Sequence, residues 1–323
     1  MNETLFAGID IGATSIKYGL IDAKGNERYR SHTPTPKNTR PESLFAKVVR
    51  CGEQLLIEAD EQNTTVNYIG VGSPGSINIE TGVIQGCSPN ILNWVGFHLR
   101  DRMAEQLNLP VFVDNDANCA AIAEHRFGAG KGHRNIVCLT VGTGIGGGLI
   151  LNNEIYRGVN YCAGEIGHMV PWSNYEDPAD GQILESLVSS RAILKRLTER
   201  LTGNITPAFA AIIGDDLSRL TIRKLFTAIK RKDEVAHEVL ISSAEILGTA
   251  LIGLVNAFNP EMVILGGGVV EGGSIFVDTV RKTIMARALT PATADLSVVP
   301  ARLGNTAGFI GAALLGRDND DEL

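Results

Sequence analysis

The chain has 323 residues, 44% of them hydrophobic, and a formal net charge of −7. This length allows one large domain or two ordinary domains with their own cores. The acidic balance and the lack of a basic cluster argue against nucleic-acid binding, and no apolar run is long enough to predict a transmembrane segment. The five cysteines are scattered; with no signal-peptide pattern, they predict a reducing cytoplasm and no membrane partner.

The N-terminal residues predict a β-hairpin with a small polar loop. A strand from Thr4 to Asp10 is followed by Ile11-Gly12-Ala13-Thr14-Ser15-Ile16-Lys17 and a second strand, 18–21. Backbone N–H groups and hydroxyls in such a loop can bind phosphate, and Asp10 is placed to interact with a metal ion. A plain tight hairpin fits the same residues equally well.

Two polar loops follow in the next hundred residues. A helix is predicted over 41–61, and then a buried strand, 68–71, ends in Gly72-Ser73-Pro74-Gly75. A polar loop around Asn90 precedes a helix over 98–107. Loops at strand ends are common positions for binding residues.

The segment Asp114-Asn115-Asp116-Ala117-Asn118 lies between a strand, 111–113, and an Ala-rich helix. A carboxylate at the end of a strand can serve as a catalytic group. Asp116 could equally be the N-cap of the helix, accepting a backbone hydrogen bond. The segment alone leaves both interpretations open.

A second glycine-rich loop follows the strand 135–141. The segment Gly142-Thr143-Gly144-Ile145-Gly146-Gly147-Gly148 contains GxGxxG, but the dinucleotide-binding interpretation requires a helix next. The sequence instead predicts strand, turn and strand through Arg157. This order repeats that of residues 6–28, which predicts an internal duplication with a phosphate-binding loop in each half.

Glu165 and His168 lie three residues apart among glycines and could bind a metal or a polyol. A purely structural histidine is the alternative. Glu185 begins a helix that is predicted to continue past Arg191, where an acidic residue also favours the helix dipole. Further helices are predicted up to residue 258, followed by a strand, 262–265, that ends in Gly266-Gly267-Gly268. A helix (275–288), a strand (296–300) and an Ala/Gly-rich helix (303–315) complete the predicted elements.

Five motifs in this order resemble those of the ROK family, and most closely its glucokinase branch. They are residues 10–17, 114–118, 142–148, 164–168 and 265–268. The resemblance implies an α/β fold of two ribonuclease H-like domains, as in actin-like ATPases, with a cleft between them. It places a smaller α/β domain at 1–118 plus 305–323, and a larger one with a helical insertion at 119–304.

The resemblance also implies a role for each motif. Asp116 matches the general base, and the positions that match sugar contacts are Gly75, Asn90, Asn115, Glu165, His168 and Glu185. ATP and Mg²⁺ are the implied cofactors, and Asp10 is implied to bind the metal through water. The implied nucleotide-binding residues are Asp10, Gly12, Thr14, Lys17, Thr143, Gly144, Gly266, Gly267 and Gly268.

The sequence departs from the family at two places. Many members carry a cysteine-rich zinc segment after the Gly-Glu-x-Gly-His motif, whereas residues 171–185 contain no cysteine here, so no zinc site is expected. The first strand begins near Thr4, which leaves no room for the winged helix-turn-helix of the repressor members.

The resemblance therefore predicts a cytoplasmic kinase that phosphorylates the 6-hydroxyl of glucose, forming a homodimer or homotetramer. The alternatives are a kinase for N-acetylmannosamine, N-acetylglucosamine, mannose or fructose, and a regulator that binds sugar without turnover. The intact Asp116 and phosphate loops favour the kinase.

Overall fold

The computed structural model describes residues 3–36, 40–86, 91, 93–171 and 182–317. Its chain divides into two compact units. The first comprises Met1–Gly132, Gly148–Gly164 and Asn305–Leu323, and the second comprises His133–Gly147 and Glu165–Gly304.

These units differ in extent from the predicted domains, which remain a prediction. Residues 119–132 and 148–164 were predicted in the larger domain, but they group with the first unit. One reason is that a boundary after residue 118 would divide a helix, Asp116–Arg126.

The first unit contains a five-stranded sheet with mixed strand directions. Its strands, in the order β3-β2-β1-β4-β7, are β1 (Phe6–Ile11), β2 (Ser15–Ile21), β3 (Glu27–Pro34), β4 (Ile69–Ser73) and β7 (Val111–Asn115). The strands β1, β4 and β7 are parallel, and β2 and β3 complete an antiparallel meander. A small hairpin of β5 (Ser76–Asn78) and β6 (Val83–Gly86) follows β4. The antiparallel pairing of β1 with β2 confirms the predicted N-terminal hairpin.

Four helices of the first unit are described around this sheet. They are α1 (Pro41–Glu61), α2 (Leu99–Leu107), α3 (Asp116–Arg126) and α11 (Ala307–Ala313). Helix α1 begins with proline at its first position, where no N–H is needed. Its apolar residues Leu44, Phe45, Val48 and Val49 recur at helical spacing and are buried in the core.

The second sheet repeats the strand order of the first. Its order is β10-β9-β8-β11-β12, made from β8 (Ile136–Val141), β9 (Ile145–Leu151), β10 (Glu154–Ile155), β11 (Met262–Gly266) and β12 (Ser297–Pro300). In each sheet an antiparallel meander leads into parallel strands. The predicted duplication is confirmed at the level of topology. A strand, β9, follows the Gly142 loop at the place where a dinucleotide-binding motif requires a helix.

The helices of the second unit are α4 (Leu184–Val188), α5 (Ser190–Leu201), α6 (Pro207–Ile213), α7 (Ile222–Lys230), α8 (Glu234–Phe258), α9 (Ser274–Arg287) and α10 (Thr290–Thr293). The sequence predicted one continuous helix from Glu185 past Arg191, which was wrong. Ser189 is extended, with ψ 160°, and its hydroxyl accepts a hydrogen bond from the Ala192 N–H. It therefore caps a second helix and does not continue the first.

Helix α8 has the length and composition of a membrane-spanning helix, with a mean hydropathy of 1.7 over its most apolar window. By length and composition, α8 therefore departs from the expectation that no apolar run is long enough to span a membrane. Half of that window is buried, and the helix packs against α5, α7 and α9. This packing favours a core helix of the second unit.

Candidate active site

The parallel strands of the first sheet bring three predicted motifs to one edge. Asp10 on β1 is in register with Gly72 on β4, and Gly72 is in register with Asp114 on β7. All three lie at the carboxyl ends of their strands, where side chains of neighbouring strands converge. A Cβ added to Gly72 would lie 3.4 Å from the Asp116 Cα, so glycine at this position lets α3 begin close to β4.

The residue that caps α3 is Asn115. Its φ and ψ are −61° and 142°, and its side-chain oxygen accepts hydrogen bonds from the Ala117 and Asn118 N–H groups at 2.9 and 3.2 Å. Asp116 is instead the first residue of the helix, so the N-cap interpretation of Asp116 was wrong. Its carboxylate accepts a further bond from the Ala117 N–H at 2.9 Å.

Asp10, Lys17 and Asp116 form a charged group in the first unit. Burial, and next the negative charge of Asp116, raise the pKa of Asp10 to about 7, against the opposing effect of Lys17. Burial also raises the pKa of Asp116, which the Ala117 N–H and Lys17 lower in part. The Lys17 Nζ lies 3.9 Å from Asp10 Oδ2 and also donates to the Asn305 side chain at 3.4 Å.

The predicted phosphate loop is held by the end of β3. The Gly12 N–H donates to the Ser15 carbonyl at 3.1 Å, while the Thr35 hydroxyl donates to the Gly12 carbonyl at 2.6 Å. A Cβ on Gly12 would lie 2.8 Å from the Ser15 oxygen, so this tight turn favours glycine. Thr14 is exposed at the tip of the loop.

Gly75 and Asn115 also meet in the first unit. The Asn115 Nδ2 donates to the Gly75 carbonyl at 3.1 Å, and the φ of Gly75 is +101°, which favours glycine. The preceding Ser73 hydroxyl accepts the indole N–H of buried Trp94 at 2.9 Å. Together with the bonds from the Ala117 and Asn118 N–H groups, Asn115 uses its oxygen and one of its two N–H donors, and within the described residues the second donor is left for a ligand.

In the second unit, two glycine-rich turns follow neighbouring parallel strands. Thr143 and Gly144 follow β8, and Gly266–Gly268 follow β11, which pairs with β8. Gly267 has φ +89°, and a Cβ there would lie 2.5 Å from the Val141 carbonyl oxygen. A Cβ on Gly268 would meet nothing within 4 Å. The two turns therefore lie at the same end of the second sheet, and Gly268 leaves room there for a ligand.

Glu185 lies against the Thr143–Gly144 turn. Its Oε2 accepts the Ile145 N–H at 2.9 Å, and a Cβ on Gly144 would lie 2.4 Å from the same oxygen. The His168 Nε2 lies 4.0 Å from the Glu165 Oε2. About half of the His168 side chain is exposed, which is unlike a histidine held in the core.

Two predictions fall partly or wholly outside the described residues. Asn90 lies in the undescribed part of the chain, as do residues 172–181, which belong to the segment where no zinc site is expected. Among the described residues, no cluster of at least three His, Cys, Asp or Glu could hold a metal. The expectation of no zinc site stays a prediction.

Sequence reasoning did not identify Arg157. Its Nε donates to the Oδ2 of the buried Asp114 at 2.8 Å, and its Nη2 lies 2.7 Å from the same oxygen in an ion pair. A single arginine after a short strand carries no motif, so no local signal could have indicated this pairing.

The family model described as "ROK family" matches residues 6–319. The chain belongs to the ROK family. This ROK chain is 33% identical to a glucokinase of Halalkalibacterium halodurans over 100% of its own length and 98% of the relative's. It is also 29% identical to a xylose repressor of Caldicellulosiruptor bescii, over 94% of this chain and 76% of the repressor.

A solved structure supports the same assignment. The ROK family glucokinase from Streptomyces griseus, in complex with glucose and AMPPNP, has a TM-score of 0.80 and 31% identity, covering 97% of this chain and 99% of that one. The predicted actin-like α/β fold is therefore confirmed. The ROK chain is a sugar kinase.

Proposed function

We propose that this sugar kinase transfers the terminal phosphoryl group of ATP to the 6-hydroxyl of glucose, with Asp116 as the general base. The observation that carries the proposal is the charged group of the first unit. There Asp116, which is partly buried and is the first residue of α3, helps to raise the pKa of the buried Asp10. The charge of Lys17 lowers the pKa of both carboxyl groups. The glucokinase relatives support glucose and ATP as the substrates.

Asp116 is suited to accept a proton from a sugar hydroxyl. A hydroxyl is a poor nucleophile at neutral pH, and a carboxylate within hydrogen-bond reach can take its proton as the new bond to phosphorus forms. Because burial raises the pKa of Asp116, this carboxylate is a stronger base than an exposed one. Its bond to the Ala117 N–H fixes one oxygen, and the second oxygen is the one we assign to the substrate.

The residues present fit a magnesium ion beside the phosphates. Asp10 is buried, its pKa is raised to about 7, and only 3.9 Å separates it from the Lys17 Nζ. Hard carboxylate oxygens and water are the ligands that Mg²⁺ prefers. Asp10 would hold the ion through water. An ion held there would supply positive charge to offset that of the phosphates.

We assign the phosphates of ATP to the two duplicated loops. Gly12, Thr14 and Lys17 offer a tight backbone turn, an exposed hydroxyl and an ammonium group. Thr143 and Gly144 offer the corresponding turn after β8. Such turns bind phosphate through backbone N–H groups. We assign the adenosine to Gly266–Gly268, because a Cβ on Gly268 would meet no atom within 4 Å and there is room for a ligand beside it.

The sugar contacts are assigned to Gly75, Asn90, Asn115, Glu165, His168 and Glu185. One N–H donor of Asn115 has no partner in the described part of the chain, and His168 is half exposed with Glu165 beside it. Carboxylate and imidazole groups are suited to a polyol because they accept and donate hydrogen bonds. We extend the proposal to a cytoplasmic enzyme that assembles as a homodimer or homotetramer.

A coupled ADP-release assay with Mg-ATP and a panel of sugars tests the proposal. The panel contains glucose, mannose, fructose, N-acetylglucosamine and N-acetylmannosamine. Glucose should give the highest kcat/KM, with glucose 6-phosphate as the product. Preference for another sugar would change the proposed substrate but would still support kinase activity. Sugar binding without sugar-dependent ADP release would instead show a regulator, which the repressor relatives make the second candidate.

A further inference from the structure

The carboxylate of Asp114 is buried and uses both of its oxygens. The residue is 2% exposed. Its Oδ2 accepts a hydrogen bond from the Arg157 Nε at 2.8 Å and lies 2.7 Å from the Arg157 Nη2 in an ion pair. Its Oδ1 accepts the Asn115 backbone N–H at 2.7 Å and the Asn118 Nδ2 at 2.9 Å. Such charge-assisted bonds are stronger and more directional than neutral ones.

These bonds lie on both sides of Asp116 in the chain. Asn115 precedes it, and Asn118 follows it by two residues. Asn115 in turn caps the N–H groups of Ala117 and Asn118. The Asn118 oxygen is buried without a hydrogen-bond partner among the described residues, so Asp114 is the group that orients this side chain. The backbone that carries Asp116 is therefore enclosed by a ring of hydrogen bonds centred on Asp114.

Arg157 is the cation of this ring and comes from a distant part of the chain, 43 residues from Asp114. Its own backbone is held, because its carbonyl accepts the Ala163 N–H at 3.0 Å and the neighbouring Tyr156 N–H donates to Leu149 at 2.7 Å. No second cation is paired with Asp114 in the part of the chain that the structure describes.

We infer that Arg157 is a positioning residue for Asp116, acting through Asp114 on the turn between β7 and α3. This inference rests on the proposed role of Asp116. Arg157 touches no substrate in the proposal. It holds the Asp114 carboxylate, whose other oxygen fixes Asn115 and Asn118 and thereby the direction of the Asp116 side chain. Displacement of a catalytic group by about 1 Å can cost about 10²-fold in rate.

The guanidinium also allows a graded test. It supplies a positive charge and an Nε–H bond to the Asp114 Oδ2, whereas lysine supplies the charge with a differently placed donor and methionine supplies neither. Arg126 provides a matched control because it lines the same cavity of about 320 Å³ as Arg157. Unlike Arg157, Arg126 has no ion pair among the described residues.

The experiment measures kcat, both KM values and the folded fraction of Arg157→Met, Arg157→Lys and Arg126→Met. Arg157→Met should lower kcat per folded molecule roughly 10- to 100-fold and leave the KM for ATP within about threefold, while the KM for glucose should rise because Asn115, a proposed sugar contact, is bonded to the same carboxylate. Arg157→Lys should recover part of kcat, and Arg126→Met should match the wild type. If Arg157→Met does not fold, Asp114→Asn should show the loss of kcat in full and Arg157→Lys should show it in part.

A kcat per folded molecule within about twofold of the wild type for Arg157→Met, or for the lysine and Asp114→Asn variants in its place, would overturn the inference. Amide NMR shifts give a readout that is independent of turnover. Those of Asn115, Ala117 and Asn118 should change in the Arg157 variants and not in Arg126→Met. An inactive wild type would refute the proposed function, and the shifts would then decide the positioning separately. An active wild type with unchanged shifts would refute the positioning alone.

Discussion

At the residue scale, Asp10 and Asp116 differ in how the fold treats their charges. Asp10 is buried in β1 and is affected by the charge of Asp116, so its pKa rises to about 7. Asp116 is partly buried and keeps a bond from the Ala117 N–H, which favours its ionised form. These environments suit different tasks, because one carboxylate needs a cation nearby while the other can accept a proton.

Asp116→Asn should abolish most turnover while leaving binding intact. The amide keeps the shape of the side chain and loses the basic oxygen, so kcat should fall roughly 10³-fold. Titration of glucose by calorimetry should give a Kd close to that of the wild type. Turnover near the wild-type rate would show that another group accepts the proton.

Asp10 should destabilise the ligand-free protein as pH rises. Its folded-state pKa of about 7 exceeds the usual aspartate pKa of 3.8, so between these values the unfolded chain releases the proton first and the free energy of unfolding falls. Asp10→Asn should remove this loss and be the more stable protein at pH 8, by at most about 4 kcal/mol. Urea unfolding at pH 4 and pH 8 without nucleotide or magnesium measures the difference. Equal pH dependence in both proteins would contradict the prediction.

The residue that caps α3 was not predictable from local sequence. Asn115 and Asp116 are both short polar residues that favour the N-cap position. The extended ψ of Asn115 places the helix start after it, and the Gly75 carbonyl, on another strand end, fixes its amide. Composition contains neither contact.

At the element scale, the close approach of α11 to the first sheet depends on glycine. A Cβ on Gly8 would lie 1.9 Å from the Phe309 carbonyl oxygen, and one on Gly70 would lie 1.7 Å from that of Ala312. Both atoms belong to the helix backbone, which cannot move aside as a side chain can. The buried Tyr68 hydroxyl also donates to the Ala313 carbonyl at 2.7 Å, which fixes the helix at that distance.

Gly70→Ala should therefore destabilise the protein by about 3 kcal/mol or more, the upper side of overpacking effects. Gly253→Ala is the control, since its Cβ would meet nothing within 4 Å inside α8, and it should stabilise by about 0.5–1 kcal/mol. Denaturant unfolding of both variants measures the difference. A Gly70→Ala protein as stable as the wild type would show that α11 can shift.

The hairpins and strand ends were predictable, because apolar runs bounded by Gly, Thr and Asp signal them locally. The interruption at Ser189 was not. The residues around it suit a continuous helix, and the break depends on the extended conformation of one serine. Helix ends of this kind are decided by packing and capping together.

At the whole-molecule scale, two sheets with one strand order explain why the glycine-rich loops recur. Each loop joins the first two strands of its meander, β1 to β2 and β8 to β9. The internal comparison of the sequence predicted this duplication, since each copy is local. The bond between Arg157 and Asp114 was beyond prediction because it joins residues that only the fold brings together.

The absence of a cysteine-rich segment predicts a protein that does not depend on zinc. Residues 171–185 contain no cysteine, and thiolates are needed for a structural site of the family's kind. Purified protein should contain less than about 0.1 zinc per chain by atomic spectroscopy, since this segment offers no thiolate to retain the metal. A chelator should leave the Tm of the magnesium-free protein unchanged. Stoichiometric zinc, or a lower Tm with chelator, would refute this.

The indole of Trp94 gives the protein an intrinsic fluorophore beside the proposed sugar contacts. It is fully buried, stacked on Phe97 at 4.7 Å between ring centroids, and bonded to Ser73. Ser73 lies two residues from Gly75, so a ligand that shifts this turn should change the emission. The sequence has two tryptophans, and Trp172→Phe leaves Trp94 as the single emitter. Sugar affinity could then be read optically, without label, nucleotide or turnover.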